Sequence, residues 1–308
     1  MIKGEKILIT GITGMVATPL AHFLSANNEV WGIARFADPA AREPYEQAGI
    51  TTRAIDIGSG EFGDLPDDFT IVLHLAWMRA ELSELQLALR NNVEGPGLLF
   101  QHCRKAKATL VMSGMGVYSP NEDPWHPYTE ADPIGRGSTF FAPTSPTSKV
   151  GIEAVARFCA RAFDMPIVIT RLNTFNGPDV AMPALIIRAV RDGQPITSPS
   201  NPCPHTPIHI EDMKWQLEAM LGLASNPATI INWCGDETVP VQEWARMAGE
   251  FYGKGPILQV RPTPGAPAGN ACDATLRRKV TGPCRTDFKQ EFLKLCRQIS
   301  PEQGGAAG

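Results

Sequence analysis

The feature that most constrains the fold is a glycine-rich turn near the N-terminus. An apolar run of strand length, Lys6 to Thr10, leads directly into Gly11-Ile12-Thr13-Gly14-Met15-Val16-Ala17, and a stretch of helical period follows. In such a turn the first glycine permits the tight bend and the second lets the backbone approach a phosphate. The small Ala17 allows close packing of helix on strand, and the helix N-terminus presents amide donors to an anion. The segment therefore predicts a unit that binds the pyrophosphate of a dinucleotide.

Strand-length apolar runs alternate with stretches of helical period through the first half of the chain. The runs are KILITG, EVWGIA, TTRAID, TIVLHLAW, ATLVMSG and PIVITRL. The nearly continuous apolar character of TIVLHLAW is typical of a strand buried on both faces. This alternation predicts an α/β fold, a doubly wound parallel sheet of Rossmann type with helices on both faces.

The second half of the chain has a different composition. After about Pro178, proline and glycine become dense (DGQPITSPSNPCPHTP, RPTPGAPAGN), with helical pieces such as EDMKWQLEAMLGLA and VQEWARMAGEFYG between them. We expect residues 1–175 to form an NAD(P)-binding domain with a return segment at about 207–240. Residues 176–206 and 241–300 are then a smaller C-terminal substrate-binding lobe, and residues 301–308 a disordered tail.

The end of the second predicted strand bears on which dinucleotide binds. An acidic residue there hydrogen-bonds the adenosine ribose and favours NAD, whereas this chain has Ala34 followed by Arg35. A small residue and a cation accommodate a 2′-phosphate. We therefore expect NADP as the cofactor, with NAD as the alternative; a solvated surface arginine is the other interpretation of Arg35.

Further motifs follow in order, and together they resemble the extended short-chain dehydrogenase/reductase family, which contains NAD(P)-dependent epimerases and dehydratases. They are Asp56-Ile57, His74-Leu75-Ala76-Trp77 (HLAA in the family), Asn91-Asn92-Val93-Glu94-Gly95 (NNVxG), Gly116-Val117-Tyr118-Ser119, Arg171 to Pro178 (RxxNxYGP) and Pro207 to Asp212. Pro96 replaces a family threonine and should kink or start its helix.

The resemblance implies functional positions in this chain. For the cofactor they are Gly11, Thr13, Gly14, Met15, Val16, Ala34, Arg35, Asp56, Ile57, Leu75, Ala76, Trp77, Asn91, Lys149 and Leu172. For the substrate they are Trp77, Gly114, Met115 and Thr174. No metal site is expected. The resemblance implies a structural position for His209, and His205 is interpreted as structural because Cys203-Pro204-His205 lacks a further ligand at fixed spacing.

The catalytic positions depart from the family pattern. The family uses a tyrosine four residues before a lysine, so that the lysine lowers the tyrosine pKa. Lys149 is present, but the tyrosine position is Ser145, which with Pro146 is typical of a helix cap. An aliphatic hydroxyl without an adjacent base is a poor proton donor or acceptor.

Two other side chains are candidates for the missing proton chemistry. The family's substrate-holding serine falls on Gly114, and Ser113 is one residue earlier, on the opposite face of a regular strand. Tyr128 lies in a proline-rich loop that could fold over a substrate. The candidate catalytic residues are therefore Lys149, Ser113, Ser145 and Tyr128.

Three functions remain open from the sequence. The first is an atypical NADP-dependent oxidoreductase acting on a small carbonyl or alcohol. The second is a lyase or isomerase (epimerase, dehydratase or cyclase) that retains its cofactor. The third is a non-catalytic nucleotide-binding protein.

Composition and cysteine usage bound the partners and the compartment. The 28 Lys and Arg against 32 Asp and Glu give a formal charge of −4, and no basic run argues for nucleic acid or a membrane surface. No apolar stretch reaches the length of a membrane span, and the N-terminus does not resemble a signal peptide. The seven scattered cysteines form no C-x-x-C, which favours reduced thiols and a cytoplasmic protein. By resemblance we also expect a homodimer formed through the 82–105 region and the 146–163 helix.

Overall fold

The computed structural model of the protein describes residues 2–139 and 142–300. The predicted tail, residues 301–308, lies outside the described residues. The strands are β1 (Lys6–Thr10), β2 (Glu29–Ala34), β3 (Thr51–Ala54), β4 (Ile71–His74), β5 (Ala108–Gly114), β6 (Ile167–Leu172), β7 (Phe175–Asn176), β8 (Pro195–Ser198), β9 (Pro204–His205), β10 (Ile208–His209), β11 (Thr229–Trp233), β12 (Val239–Pro240) and β13 (Ile257–Val260). The α-helices are α1 (Ala17–Ser25), α2 (Glu43–Gln47), α3 (Leu85–Leu89), α4 (Gly95–His102), α5 (Ser145–Ala162), α6 (Met182–Arg191), α7 (Ile210–Leu221), α8 (Val241–Tyr252), α9 (Thr275–Thr281) and α10 (Phe288–Ile299).

A seven-stranded parallel sheet forms the centre of the molecule, in the order β11-β6-β5-β4-β1-β2-β3. Its first six strands in the chain are the six apolar runs, so the predicted doubly wound parallel sheet is confirmed. The strand order reverses between β1 and β4. In open parallel sheets, ligands bind in the crevice outside the carboxyl ends of the strands at such a reversal.

Two hydrophobic cores, one on each face, hold the sheet between its helices. Ile7 and Ile9 face the core shared with α1 and α7. Leu8 faces the opposite core, which contains residues of α4 and α5. This alternation within one strand follows from the two-residue period of β structure, and it explains why β1 is apolar at every central position.

A third core belongs to the second half of the chain. It joins α6, α8 and α10 through residues that include Ile187, Trp244 and Phe292. Between these helices the chain returns to the central sheet through α7 and through β11, which pairs with β6. The exact division into a nucleotide domain and a lobe stays a prediction.

Two prolines define helix starts. Pro96 occupies the first turn of α4, after a π-helical segment Arg90–Glu94, so the predicted disturbance at this proline is confirmed. In α5 the cap residue is Thr144, Ser145 is the first helical residue and Pro146 follows. The predicted cap at Ser145 was therefore wrong by one position, because the turn before α5 ends at Thr144 and Ser145 is already helical. The Thr144 hydroxyl does not cap the helix and donates instead to Ala80 O at 2.9 Å. Within the described ranges, no helix is both long and apolar enough to span a bilayer.

Candidate dinucleotide site and adjoining cavity

The glycine turn lies at the carboxyl end of β1, against the segment that follows β4. Gly11 has φ +64°, and a Cβ atom placed on it would lie 2.6 Å from Ala76 Cα. The Gly14 amide donates to Gly11 O at 2.8 Å, which closes the turn. Only glycine satisfies both the left-handed backbone and the close approach at position 11. The predicted residues Gly11 and Ala76 are thus in direct contact.

The N-terminus of α1 opens from this turn without a side-chain cap. Its cap residue is Val16, whose side chain offers no acceptor, and no other described side chain caps the helix. The first amides of a helix need an acceptor from outside the helix. A pyrophosphate above Thr13, Met15 and Val16 would provide one, so the residues present fit the dinucleotide predicted for this turn.

Thr10, which the sequence argument did not select, fixes the segment after β4. Its Oγ1 accepts hydrogen bonds from the amides of Leu75 at 3.1 Å and Ala76 at 3.0 Å. The same oxygen lies 3.0 Å from His74 Nδ1, so its hydrogen is directed at that nitrogen. Burial lowers the pKa of His74 to about 3, and its imidazole is therefore neutral and able to accept. Thr10 ties together two strands that flank the strand-order reversal.

The adenosine end of the predicted site lies at the ends of β2 and β3. Arg35 is exposed and forms no hydrogen bond or ion pair with any described residue, and Ala34 before it is half-buried. Asp56 accepts from the Gly58 amide at 3.1 Å, with Ile57 buried beside it. Asn91 packs on this turn, since a Cβ on Gly58 would lie 2.6 Å from Asn91 Oδ1. The structure thus brings the predicted residues of this end together.

Lys149 lies at the ends of β4 and β5. Its Nζ donates to Met112 O at 2.8 Å and lies 3.7 Å from the centroid of the Trp77 ring. Burial lowers the pKa of Lys149 to about 7, partly offset by the nearby charge of Glu153. Trp77 is the residue that departs from the family motif, and it covers the amine through a cation–π contact.

Ser113 and Tyr118 belong to a buried polar network behind the site. Ser113 Oγ donates to Glu153 Oε1 at 2.6 Å. Arg171 donates to both oxygens of Glu153 at 2.9 and 2.8 Å and to the Tyr118 hydroxyl at 3.1 Å. Tyr118 in turn donates to Asn232 at 2.6 Å, and burial raises its pKa. Ser113 thus has a structural hydrogen bond within this network, and it does not line the cavity described next.

Tyr128 is also engaged internally. Its hydroxyl accepts from the Asn121 amide at 2.9 Å and donates to Ser119 O at 3.2 Å. Its ring stacks on that of Tyr118 with centroids 5.0 Å apart. Burial raises the pKa of Tyr128, which disfavours a phenolate.

A cavity of about 480 Å³ adjoins the carboxyl ends of β5 and β6 and extends to α6 and α8; we call it the edge cavity. Of the predicted residues, Met115, Ser145, Leu172 and Thr174 line it; Trp77, Gly114, Ser113 and Tyr128 do not. No tyrosine and no charged side chain is among the described residues of its wall. Its polar wall residues are Ser138, Thr139, Ser145, Asn173, Thr174, Thr197, Ser198, Cys203, His205 and Asn270.

His205, which was interpreted as structural from the sequence, and Cys203 both line the edge cavity, and neither was among the predicted site residues. His205 Nδ1 lies 2.6 Å from Thr174 Oγ1, and its Nε2 lies 3.6 Å from Cys203 Sγ. His209, by contrast, accepts from the Glu211 amide at the start of α7. In the described part of the chain, no group of three or more His, Cys, Asp or Glu side chains is placed to hold a metal ion.

The fold and the glycine turn define a Rossmann-type dinucleotide-binding protein. The family model described as the NAD dependent epimerase/dehydratase family matches residues 7–213, more than half of the chain. The chain therefore belongs to this family of enzymes, and the resemblance drawn from the motifs is confirmed.

Solved structures of this type superpose over almost the whole chain. UDP-glucuronic acid 4-epimerase from Bacillus cereus, in complex with UDP-glucuronic acid and NAD, has a TM-score of 0.80 at 20% identity, covering 96% of this chain and 99% of its own. UDP-glucose 4-epimerase from Thermus thermophilus, with NAD, has a TM-score of 0.77 at 18% identity, covering 95% and 98%. An NAD-dependent NDP-hexosamine 5,6-dehydratase involved in tunicamycin biosynthesis has a TM-score of 0.78 at 19% identity, covering 96% and 99%. No curated protein shows significant sequence similarity to the chain. At these identities, the structural likeness establishes the fold.

Proposed function

We propose that the protein is a nicotinamide-dependent enzyme of the epimerase/dehydratase type, which moves a hydride to or from the alcohol or carbonyl carbon of a small molecule in the edge cavity. One observation carries this proposal: the edge cavity begins at Met115, Ser145 and Leu172, beside the strand ends where Lys149 lies. When bound, the dinucleotide supplies the ring that accepts or returns the hydride. The chain's own contribution is to hold that dinucleotide at the glycine turn and to orient a substrate from the cavity wall.

The experiment has two stages. Isothermal titration with NAD⁺ and NADP⁺ should give saturable binding to the wild-type protein and at least tenfold weaker binding to Gly11→Ala. A panel of secondary alcohols and nucleotide sugars is then incubated with the loaded enzyme, and the absorbance of reduced nicotinamide is followed beside product analysis by mass spectrometry and NMR. Conversion without net reduction supports an epimerase or dehydratase. Failure of both dinucleotides to bind would refute the proposal.

A net oxidoreductase is the second candidate, and the edge cavity itself favours it. The relatives named above act on nucleotide sugars, whereas the described wall of this cavity offers no cation for a diphosphate. A simple carbonyl or alcohol compound requires none. Accumulation of reduced nicotinamide in proportion to product would assign the protein to this class.

NADP is the proposed cofactor, on the evidence of Arg35. Its guanidinium has no partner among the described residues, and with the small Ala34 beside it this leaves space and charge for a 2′-phosphate. The solved relatives carry NAD, which points to the alternative. Arg35→Ala should weaken the binding of NADP⁺ at least tenfold, because a charge-assisted hydrogen bond is lost, and should leave the binding of NAD⁺ unchanged. Arg35→Lys should retain part of the preference for NADP⁺. Tighter binding of NAD⁺ by the wild type would overturn this assignment.

The proton partner must differ from the family tyrosine. Tyr45 and Tyr252 bond to Thr18 and to Cys296 O, and Tyr118 and Tyr128 lie in the buried network. Of the four proposed catalytic residues, Ser145 is the one whose side chain reaches the cavity wall. We assign Ser145 to substrate contact, and Lys149 to the dinucleotide side of the site.

A further inference from the structure

We propose that the edge cavity binds an uncharged, mainly apolar compound through one carbonyl or alcohol oxygen, and that Thr174, held by His205, is the residue that contacts this oxygen. The inference rests on the proposed function only in taking the edge cavity as the substrate site. It adds the chemical class of the substrate and a pair of side chains that recognises it.

The wall composition sets the substrate class. The described lining includes apolar side chains from Met182, Leu185, Ile186 and Val241, and no Asp, Glu, Lys or Arg. Transferring phosphate or carboxylate charges into such a cavity without a cation is strongly unfavourable. An uncharged ligand has no such desolvation cost, and burial of its apolar surface contributes favourably to the free energy of binding.

The arginines that adjoin lining residues in the chain do not supply the missing charge. Arg171, which precedes Leu172, is ion-paired with Glu153. Arg188, which precedes Ala189, donates to Asp179 O. Neither arginine is part of the described wall. A bound diphosphate inside the cavity would therefore lack a counter-charge.

Thr174 and His205 form the best-defined polar pair in this wall. Thr174 follows β6 by two residues, and its Oγ1 lies 2.6 Å from Nδ1 of His205 in β9. If Nδ1 donates to Thr174, Cys203 can donate to Nε2, and the Thr174 hydrogen is free for a carbonyl oxygen. In the other tautomer Thr174 donates to Nδ1, and its oxygen accepts from an alcohol. The pair therefore matches both partners of an alcohol–carbonyl interconversion.

The surroundings keep this pair neutral and fixed. Burial lowers the pKa of His205 to about 4, and the ring packs beside Trp244 with centroids 5.5 Å apart. Ser145, in contrast, has no side-chain hydrogen bond with a described residue, so no such partner fixes its hydroxyl. Thr139 Oγ1 is buried with no partner among the described residues, and it provides a second polar point in the wall.

The test uses ligand pairs that differ by one oxygen. Cyclohexanone, 1-indanone and 1-tetralone, each beside its parent hydrocarbon, are titrated into the wild type and followed by thermal shift and ligand-observed NMR, with UDP and UDP-glucose as charged probes. At least one ketone should bind in saturable fashion and about three- to tenfold tighter than its hydrocarbon, the range expected for one hydrogen bond. Binding of UDP or UDP-glucose in preference to every ketone, or binding of no ketone, would overturn the substrate class.

Matched variants test the pair itself. Thr174→Val should abolish the preference for the ketone over the hydrocarbon, and Thr174→Ser should keep it. His205→Asn retains a hydrogen-bonding group near Nδ1 and should restore part of the preference that His205→Leu removes. An unchanged preference in Thr174→Val would refute the role of Thr174. If Thr174→Val fails to fold, the comparison of Thr174→Ser with Thr174→Ala replaces it.

Dinucleotide binding is measured in parallel on every variant. It should be unchanged by Thr174→Val, because the glycine turn and Lys149 lie outside this pair. A wild type that binds ketones but no dinucleotide would refute the proposed function and leave this inference standing. The reverse result would refute this inference alone.

Discussion

Gly11→Ala tests the contact between Gly11 and Ala76, which we expect to shape the proposed dinucleotide site. Two unfavourable terms arise in the folded state. A non-glycine residue at φ +64° costs about 1–2 kcal/mol. The new Cβ would also lie 2.6 Å from Ala76 Cα and 3.1 Å from Ala76 Cβ, and moving two backbone segments apart costs about 1–3 kcal/mol.

Gly4→Ala is the matched control. Gly4 has φ +70°, and a Cβ placed there meets nothing within 4 Å. It therefore carries the backbone cost without the collision, and the gain from a less flexible unfolded chain is common to both variants. Gly11→Ala should lose about 2–5 kcal/mol of unfolding free energy and Gly4→Ala about 1–2 kcal/mol.

Urea titrations followed by tryptophan fluorescence give the two unfolding free energies, and isothermal titration gives the dinucleotide affinity. Gly4→Ala should bind the dinucleotide as the wild type does, whereas Gly11→Ala should bind at least tenfold more weakly. Equal stability losses in the two variants, with affinity retained in both, would refute the argument that the approach of Gly11 to Ala76 shapes the site.

Three other predictions concern the buried network, the lysine and the oligomer. Glu153→Gln leaves the buried guanidinium of Arg171 without its ion pair and should cost about 3–5 kcal/mol in urea unfolding; a loss below about 1 kcal/mol would contradict this. The folded-state pKa of Lys149 is about 7, below its unfolded value, so the unfolded chain binds more protons above pH 7 and stability rises with pH. From about pH 7 to 9, the wild type should gain about 1–2 kcal/mol relative to Lys149→Met, and parallel pH profiles would exclude this titration. Leu98 and Phe158, in the two regions of the expected homodimer interface, are 48% and 64% exposed. We therefore expect the wild type to sediment as a dimer at micromolar concentration and the Leu98→Glu/Phe158→Glu variant to sediment as a monomer. A monomeric wild type would reject the proposed interface.

Sequence reasoning was most successful where a signal is local. The strands β1 to β6 coincide with the apolar runs because burial on both faces imposes an apolar residue at nearly every position. The glycine turn was predictable for a similar reason. The backbone conformation at Gly11 is one that other residues rarely adopt, so it leaves its mark in the sequence.

Contacts between distant residues left weaker signals. Trp77 appeared as a departure from a motif, and only the fold shows its ring 3.7 Å from Lys149. His205 was interpreted as structural because no ligand stands near it in the sequence. Its partner Thr174 is 31 positions away. The two residues meet because β7, which follows Thr174, pairs with β10, which begins three residues after His205.

The sequence by itself determined that the chain forms a parallel α/β sheet with a tight glycine turn after its first strand, and it predicts Ser145 at the position of the family tyrosine. These properties depend on residues that are close in the chain, where period and backbone conformation restrict the choice of side chain. Only the tertiary structure decided that Ser113 faces Glu153 and that Tyr128 is bonded internally. It also decided that the described residues of the cavity wall carry no charge, because a wall is assembled from segments whose proximity no local pattern encodes.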